Sequence, residues 1–336
     1  MIGIGLALAT LVIWQYELVS YGLMQGYGQA KILWQARPVA EVLADPAYPD
    51  SVKAKLRLIA EIKQFAEDSI GLKPSENYTT FYDQKGKAIL WVLTACEPFR
   101  LVEKEWDFPL IGSFSYKGFF DLEKANVEDT LLRAQGYDVS IGPVGGWSTL
   151  GWFKDPVLSN FLRRKEGNLA NLIIHELTHG TLFVKDSLRF NENLASFVGD
   201  QGARLFLRHK YGPGSPQLLE YEADEHDGAA FTRYVLRATQ SLDSLYQSFP
   251  GAMAVADKQA QKTAQIKAIM VNLDTVSFLG NRYRGYFADF TPNNNFFMGF
   301  VRYESRQNSF ETEFDQAFDR DFKQYWAYLK TKYKSL

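Results

Sequence analysis

Two histidines and a glutamate stand together in the segment "NLIIHELTHG", residues 171–180. His175 and His179 are four residues apart, so on a helix both rings project from one face, about one turn apart. That spacing suits two imidazole ligands of a single Zn²⁺. Glu176 stands beside them, where a carboxylate can reach a metal-bound water without ligating the metal. The chain has only four histidines, so two of them in this pattern favour a zinc site over chance placement.

A catalytic zinc keeps three protein ligands and one open position, and two histidines with a glutamate are a well-attested set. The segment "FNENLASF", residues 190–197, supplies Glu192 in the first turn of the next predicted helix. An antiparallel helix pair would bring this carboxylate back toward the two histidines. An acidic residue in a first turn also stabilises a helix without any metal. Glu192 is therefore the favoured third ligand, and the alternatives are Glu220, Glu222 and Glu225.

The elements that position these residues follow from the spacing of apolar and turn-forming residues. Helices are predicted from Ser51 to about Ile70, from Leu122 to Ala134, and through the metal-binding motif from a cap at Asn168. Strands are predicted in "YTTFYD" and "AILWVLTA", joined as a hairpin through "QKGK", and in "FPLIGSFSYKGFF" and "YDVSIG". After Gly212 the pattern is almost wholly helical. The predicted fold is α+β, with a mixed N-terminal part containing a small sheet and a mainly helical C-terminal part.

Composition limits the classes of function. The chain of 336 residues is 46% hydrophobic and 15% aromatic, which is enough for a large core. With 37 basic and 39 acidic side chains the formal net charge is -2, so the charge balance argues against nucleic-acid binding. Cys96 is the single cysteine. It excludes an intramolecular disulfide, and it is expected to be a small buried hydrophobic residue.

The N-terminal stretch "MIGIGLALATLVIW" has no charged side chain, and the first one in the chain is Glu17. A membrane-spanning helix needs about 20 apolar residues, and Ile2 to Met24 nearly supplies them. We therefore predict a membrane anchor or uncleaved signal segment over residues 1–27 and one domain over residues 28–336. The alternative is a buried helix, because no Lys or Arg precedes the apolar run as a signal peptide would require.

The His-Glu-x-x-His helix followed by an Asn-Glu-x-x-Ala helix resembles the gluzincin metallopeptidases. Further blocks resemble, in chain order, those of the bacterial putative aminopeptidase family of that clan. The resemblance runs from about Gly28 to Tyr211 and resumes near residue 292. It implies a zincin-like fold, a bound zinc ion, peptide substrates and a place in the bacterial cell envelope, with the domain periplasmic. The matching blocks are "GQAKILWQARPV", "FPLIGSFSYKGFFD", "WSTLGWFKDPVLSN", "LANLIIHELTHGTLFVKD", "FNENLASFVGDQGA" and "PNNNFFMGFVRY".

Two features depart from the better-known branches of the clan. The spacing from His179 to Glu192 is shorter than in the thermolysin-like and aminopeptidase N-like branches. One turn after Glu192 the chain has Ser196, where thermolysin-like enzymes have an aspartate that braces a histidine. Ser196 can form a hydrogen bond but carries no charge. The residues that orient the metal ligands are therefore expected to differ from those of thermolysin-like enzymes.

The chemistry of such a site assigns further roles. Zinc lowers the pKa of a bound water, and Glu176, as general base, would take its proton and pass it to the leaving amine. The oxyanion needs another donor, for which Tyr303 is the first candidate and His226 the second. The alternative for Tyr303 is that it is an aromatic residue of the core. The alternative for His226 is that it belongs to a solvated, charged helix face. The segment "GGWSTLGWF", residues 145–153, is predicted to be an edge strand that binds the peptide backbone.

The sequence thus predicts a zinc metallopeptidase, with removal of N-terminal residues from peptides as the favoured reaction. An endopeptidase is the alternative within the same chemistry. The alternative from another class is a non-catalytic, membrane-anchored envelope scaffold with a structural or vacant zinc site. A structural zinc usually has four protein ligands, and no third histidine or cysteine lies near the motif. The lack of an evident fourth ligand therefore favours a catalytic zinc site over a structural one.

Overall fold

The computed structural model describes residues 16–108, 112–144, 154–185, 187–304 and 308–333. The helices are α1 (Tyr16–Gln35), α2 (Val39–Ala44), α3 (Asp50–Phe65), α4 (Leu122–Ala134), α5 (Glu166–His179), α6 (Leu188–Tyr211), α7 (Pro216–Gln247), α8 (Val255–Asn272), α9 (Asn294–Glu304), α10 (Asn308–Phe318) and α11 (Phe322–Lys332). The strands are β1 (Arg37–Pro38), β2 (Thr80–Tyr82), β3 (Trp91–Cys96), β4 (Trp106–Phe108), β5 (Gly112–Phe114), β6 (Lys117–Phe119), β7 (Asp138–Pro143) and β8 (Val157–Leu158).

The strands form three small sheets. One has the order β1-β2-β8, in which β2 is antiparallel to β1 and parallel to β8. The second has the order β6-β3-β7 and is antiparallel throughout. The third is the two-stranded pair β4-β5. With helices dominating after α5, the fold is the predicted mixed α+β architecture with small sheets and a helical C-terminal half.

The predicted hairpin between "YTTFYD" and "AILWVLTA" is wrong. Both runs contain strands, β2 and β3, but β2 pairs with β1 and β8 whereas β3 pairs with β6 and β7. Gln84 in the connection explains the difference. Its backbone N–H donates to Ser159 Oγ at 2.9 Å, and its Oε1 accepts from the backbone N–H of Asn160 at 2.9 Å. The connection is therefore held beside β8, and β3 continues into a different sheet.

The largest hydrophobic core surrounds α5. Helix α3 buries Leu56, Ile59 and Ile62 on one face, and α5 buries Ile173 and Ile174 against α3 and α6. Burying one such side chain contributes about 1.5–3 kcal/mol relative to leaving it exposed. Helix α5 begins at residue 166, two residues before the predicted cap at residue 168. Its apolar face is thus fixed in the core, which leaves its polar face for the histidines.

The long helix α7 connects this core to a second one. Its first turns contribute Leu218 and Tyr221 to the core around α5, and its later turns pack Phe231 and Val235 against α8 and α9. A third, smaller core lies between the β6-β3-β7 sheet and α4, with Leu132 of α4 against Leu93 of β3. The helix that carries the His-Glu-x-x-His motif therefore lies in the largest core, apart from this sheet.

Asn294 ties the β6-β3-β7 sheet to the C-terminal helices. Its backbone N–H donates to Asp138 Oδ2 at 2.9 Å, its Nδ2 donates to the carbonyl of Glu97 at 2.7 Å, and its Oδ1 accepts from the Tyr246 hydroxyl at 2.8 Å. Lys262 of α8 pairs with the same Asp138 carboxylate at 2.6 Å. All these groups meet where α9 begins. We refer to this group as the Asn294 clamp.

Helix α1 packs on the sheets and runs through the domain boundary predicted at residue 27. Tyr21 stacks on Phe108 with ring centroids 5.5 Å apart, and Gln25 Nε2 donates to the carbonyl of Gly118 at 2.6 Å. Residues 1–15 of the predicted anchor lie outside the described residues. Within the described ranges, no helix combines the length and apolar character needed to cross a membrane. The anchor stays a prediction.

Candidate metal centre

Helix α5 presents both histidines of the motif on the face opposite its buried apolar residues. The Nε2 atoms of His175 and His179 are 3.3 Å apart. Their rings are nearly perpendicular, with an interplanar angle of 85°. The two nitrogens therefore converge on one point, as the four-residue spacing predicts.

Helix α6 returns antiparallel to α5 and places Glu192 opposite the histidines. Its Oε2 lies 3.5 Å from His175 Nε2, and its Oε1 lies 3.6 Å from His179 Nε2. Because α6 begins at residue 188, Glu192 is in its second turn rather than its first. The structure thus brings together the three side chains that the sequence singles out as metal ligands.

The loop between α5 and α6 is held by Asn191, which is 1% exposed. Its Oδ1 accepts from the backbone N–H of Val184 at 2.8 Å, and its Nδ2 donates to the carbonyl of Val184 at 2.8 Å. This paired contact closes the loop and fixes the start of α6. Glu192 is the next residue, so the same contact sets the position of its carboxylate.

Two glycines of α6 allow the helix pair to approach closely. A Cβ on Gly199 would lie 3.0 Å from the carbonyl oxygen of Asn171 and 3.1 Å from His175 Cβ. A Cβ on Gly202 would lie 2.8 Å from Ile174 Cγ2. Side chains at these positions would push α6 away from α5. The distance between the histidines and Glu192 therefore depends on both glycines.

The donor set and its spacing fit a zinc ion. Imidazole nitrogens and carboxylate oxygens bind Zn²⁺ at about 2.0–2.2 Å, so tetrahedral ligands lie about 3.3–3.6 Å apart. The two imidazole nitrogens are 3.3 Å apart, and each lies 3.5–3.6 Å from a different oxygen of the Glu192 carboxylate. The group could therefore hold a metal ion.

The electrostatics favour neutral, metal-competent imidazole at His179. Burial and the neighbouring His175 lower the pKa of His179 to about 4, while Glu192 acts in the opposite direction. A neutral ring is the form that ligates a metal. His179 Nδ1 is buried and has no hydrogen-bond partner among the described residues. A metal-ligating histidine usually donates a hydrogen bond from its second nitrogen.

Glu176 lies beside the ligands in a largely buried position. Burial raises its pKa, Glu192 and Asp155 raise it further, and His175 lowers it. Burial also raises the pKa of the Tyr78 hydroxyl, together with Glu176 and Asp155. The raised pKa makes this carboxyl group a better proton acceptor than an exposed glutamate.

Tyr78 and Asp155 were missed by the sequence analysis. The backbone N–H of Tyr78 donates to the carbonyl of Asp155 at 2.7 Å, and Asn77 Oδ1 accepts from the backbone N–H of Asp155 at 3.1 Å. Tyr78 has a φ of 64°, a left-handed conformation that is uncommon for a tyrosine. A sequence signal for Asp155 was its position in the block "WSTLGWFKDPVLSN", which resembles the family.

The three alternative ligands lie elsewhere. Glu220 pairs with Lys165 at 3.0 Å, and Glu222 pairs with Arg204 at 3.5 Å. Burial and the nearby Asp200 raise the pKa of Glu225. In the part of the chain that the structure describes, none of the three joins the group formed by the histidines.

The other predicted site residues are not brought to the metal centre by the described contacts. Tyr303 belongs to α9, but its side chain lies outside the described residues. His226 Nδ1 lies 3.2 Å from Asp227 Oδ1, at the contact of α7 with Leu279. Residues 145–153, the predicted edge strand, also lie outside the described residues. These roles stay predictions.

The family model described as "Putative aminopeptidase" matches residues 20–334. No curated protein and no solved structure matches the chain significantly. Because the family match spans nearly the whole chain, the protein belongs to this putative aminopeptidase family.

Proposed function

We propose that the protein is a zinc-dependent peptidase that removes N-terminal residues from peptides. In this proposal His175, His179 and Glu192 hold the metal. The observation that carries it is the convergence of two imidazole nitrogens and a carboxylate within 3.3–3.6 Å of one another. Membership of the family supports a peptidase, and the donor set supports a zinc enzyme of the gluzincin type.

Glu176 is proposed to be the general base. A zinc ion bound at the site supplies a Lewis acid and a water molecule whose pKa is near neutrality. The raised pKa of Glu176 makes its carboxylate a stronger base than an exposed glutamate. The same carboxyl group can then hold the proton until the leaving amine accepts it. Tyr303 is proposed to stabilise the oxyanion, because it lies in the block "PNNNFFMGFVRY", where the resemblance to the family resumes.

The decisive experiment combines metal analysis with a substrate screen. We expect one zinc per chain, and cleavage of peptides with a free N-terminal amine in preference to the same peptides acetylated at that amine. Equal cleavage of both sets would indicate an endopeptidase. A full complement of zinc with no cleavage of either set would indicate the non-catalytic scaffold, because a structural zinc does not need an open position.

We also propose that the protein resides in the bacterial cell envelope, with residues 1–15 as part of a membrane anchor and the domain in the periplasm. The support is the uncharged run "MIGIGLALATLVIW", which leads directly into α1. After cell fractionation, the full chain should remain with the membranes in an alkaline carbonate wash and should be digested by protease added to spheroplasts. Release by the wash would contradict the anchor, and protection from protease would contradict the periplasmic orientation.

A further inference from the structure

Asn171 lies next to the proposed metal centre on α5. Gly167, Asn171 and His175 follow one another at intervals of four residues, so each lies beside the next on the helix surface. On α6, a Cβ on Gly199 would lie 3.1 Å from His175 Cβ and 3.0 Å from Asn171 Oδ1. The close contact between the two helices therefore runs from the proposed metal centre to Asn171, one turn nearer the start of α5.

The hydroxyl of Tyr221, on α7, joins α5 to α6 at this point. It lies 2.7 Å from Asn171 Nδ2 and 2.9 Å from Asp200 Oδ1. An ionised carboxylate only accepts hydrogen bonds, so the hydroxyl donates its one proton to Asp200 and accepts from the amide of Asn171. Burial and the charge of Asp200 raise the pKa of Tyr221, although the hydrogen bond from Asn171 lowers it. The hydroxyl therefore keeps the proton that it donates, and one oxygen atom connects three helices.

The ring of Tyr221 is packed between the same helices, and the residue is only 2% exposed. A Cβ on Gly167 would lie 2.5 Å from Cδ2 of the ring, so a larger residue at this position would displace the ring from α5. On the side of α6, the guanidinium of Arg204 lies 5.7 Å from the ring centroid, and its Nε pairs with Asp200 at 3.2 Å. The packing of the ring thus sets where the hydroxyl lies between Asn171 and Asp200.

We propose that Tyr221 is a positioning residue for the metal centre. Its hydroxyl fixes the position of α5 along α6 one turn from His175. Asp200 is eight residues after Glu192, about 12 Å along α6. Because closely packed helices transmit small displacements, the hydroxyl also fixes His175 relative to Glu192. This role rests on the proposed zinc site, and it adds to that site a residue from a third helix.

The substitution Tyr221→Phe tests this role, because it removes the hydroxyl and keeps the ring against Gly167. Groups that support metal ligands typically contribute about 10- to 100-fold to metal affinity. Tyr221 acts through Asn171, one turn from His175, so we expect the lower end of that range, about a ten-fold loss of zinc affinity. Competition between the full-length chain and a zinc chelator measures the affinity, and circular dichroism shows whether the variant is folded.

Tyr325→Phe on α11 is the matched control. Tyr325 is also fully buried in the largest core, and its hydroxyl donates to a carboxylate oxygen, Glu313 Oε2 of α10, at 2.8 Å. Both variants should unfold at a lower temperature than the wild type, because each loses a buried hydrogen bond. Tyr325→Phe should nevertheless bind zinc as tightly as the wild type. A loss of stability in Tyr221→Phe without a loss of zinc affinity would mean a merely structural role and would overturn the proposal.

Asn171→Ala removes the amide that donates to the Tyr221 hydroxyl, and it should also lower zinc affinity about ten-fold. This variant decides the test if Tyr221→Phe does not fold. If both side chains act through one chain of hydrogen bonds, the double variant should lose no more than either single variant. A loss of about 100-fold in the double variant would show two independent effects and would overturn the proposal. A wild type that binds no zinc would instead refute the zinc site itself, and this role with it.

Discussion

Two carboxyl groups on neighbouring helices, Glu176 of α5 and Glu225 of α7, have pKa values raised by burial. For Glu176 the raised value serves the proposed proton transfer. Among the described residues Glu225 does not join the group of possible metal ligands, and the charges that act on it are those of Asp200, Asp224 and two arginines. Burial therefore has a proposed catalytic use at Glu176 and an energetic cost at Glu225.

The energetic cost of burying the Glu225 carboxylate predicts that the free energy of unfolding of the protein depends on pH. Burial and Asp200 raise its pKa from 4.5 to about 7, against the effect of Arg204 and Arg282. A raised folded-state pKa contributes stability that is present below pH 4.5 and is lost as the pH rises through about 7. Glu225→Gln should therefore stabilise the protein at pH 8, on the order of 2 kcal/mol, and change little at pH 5.

Urea denaturation at the two pH values measures this difference. The exposed Glu220 of the same helix is the control, and Glu220→Gln should change the free energy of unfolding by less than about 0.5 kcal/mol at either pH. An equal effect of Glu225→Gln at pH 5 and at pH 8 would show that its carboxyl group is not titrating in this range.

At the scale of elements, the antiparallel pair of α5 and α6 sets the distance between the ligands. Gly199 lies in the close contact between the two helices, and the Cβ of an alanine would meet the carbonyl of Asn171 at 3.0 Å and His175 Cβ at 3.1 Å. A displacement of a few tenths of an ångström would move His175 relative to Glu192. Changes to groups that support metal ligands typically cost about 10- to 100-fold in affinity. Gly199→Ala should therefore lower zinc affinity about ten-fold.

Gly228 of α7 provides the control for this substitution. A Cβ there would meet only the Tyr283 hydroxyl, at an ordinary 3.7 Å. Gly228→Ala should leave zinc affinity unchanged and raise stability by about 0.5–1 kcal/mol, because alanine is the better helix former. Competition with a zinc chelator measures both affinities. Unchanged affinity in Gly199→Ala would mean that the helix pair does not control the ligand geometry.

The sequence predicts local elements better than contacts between distant segments. The helix over residues 122–134 and the helix pair that carries the ligands follow from apolar periodicity, which records which face of each helix is buried. The predicted hairpin after β2 is wrong because Gln84 forms hydrogen bonds with Ser159 and Asn160, more than 70 residues away. The pattern of residue types around Gln84 does not predict contacts with such distant residues.

The same limit applies to the candidate site. His175, Glu176 and His179 were found because their spacing within one helix is itself the signal. Tyr78 and Asp155 meet across the chain, and the left-handed conformation of Tyr78 has no signature in its residue type. Their place near Glu176 required the tertiary structure.

At the scale of the whole molecule, the Asn294 clamp joins the β6-β3-β7 sheet to α7 and α9. Asn294→Ala would remove a donor from the half-buried carbonyl of Glu97 and an acceptor from the buried Tyr246 hydroxyl. Each buried polar group left without a partner costs about 1–3 kcal/mol. We expect a loss of about 2–4 kcal/mol in the free energy of unfolding. The exposed Asn126→Ala on α4 should cost less than about 0.5 kcal/mol.

Chemical denaturation of these two variants tests the clamp. If Asn294→Ala were as stable as Asn126→Ala, the contact between the sheet and the C-terminal helices would not depend on this residue. Because α9 also carries Tyr303, the proposed oxyanion donor, we expect Asn294→Ala to lower peptidase activity as well.

The central claim is that the group on α5 and α6 is a catalytic zinc site, and the substitution Glu176→Gln tests it most directly. The change keeps the size and polarity of the side chain and leaves all three ligands in place. Peptide hydrolysis should fall by about 10²- to 10⁴-fold, the usual contribution of general acid–base catalysis, with zinc content and thermal stability close to wild type. Glu192→Gln should lose zinc and activity together. Retained activity in Glu176→Gln, on a peptide that the wild type cleaves, would contradict the account.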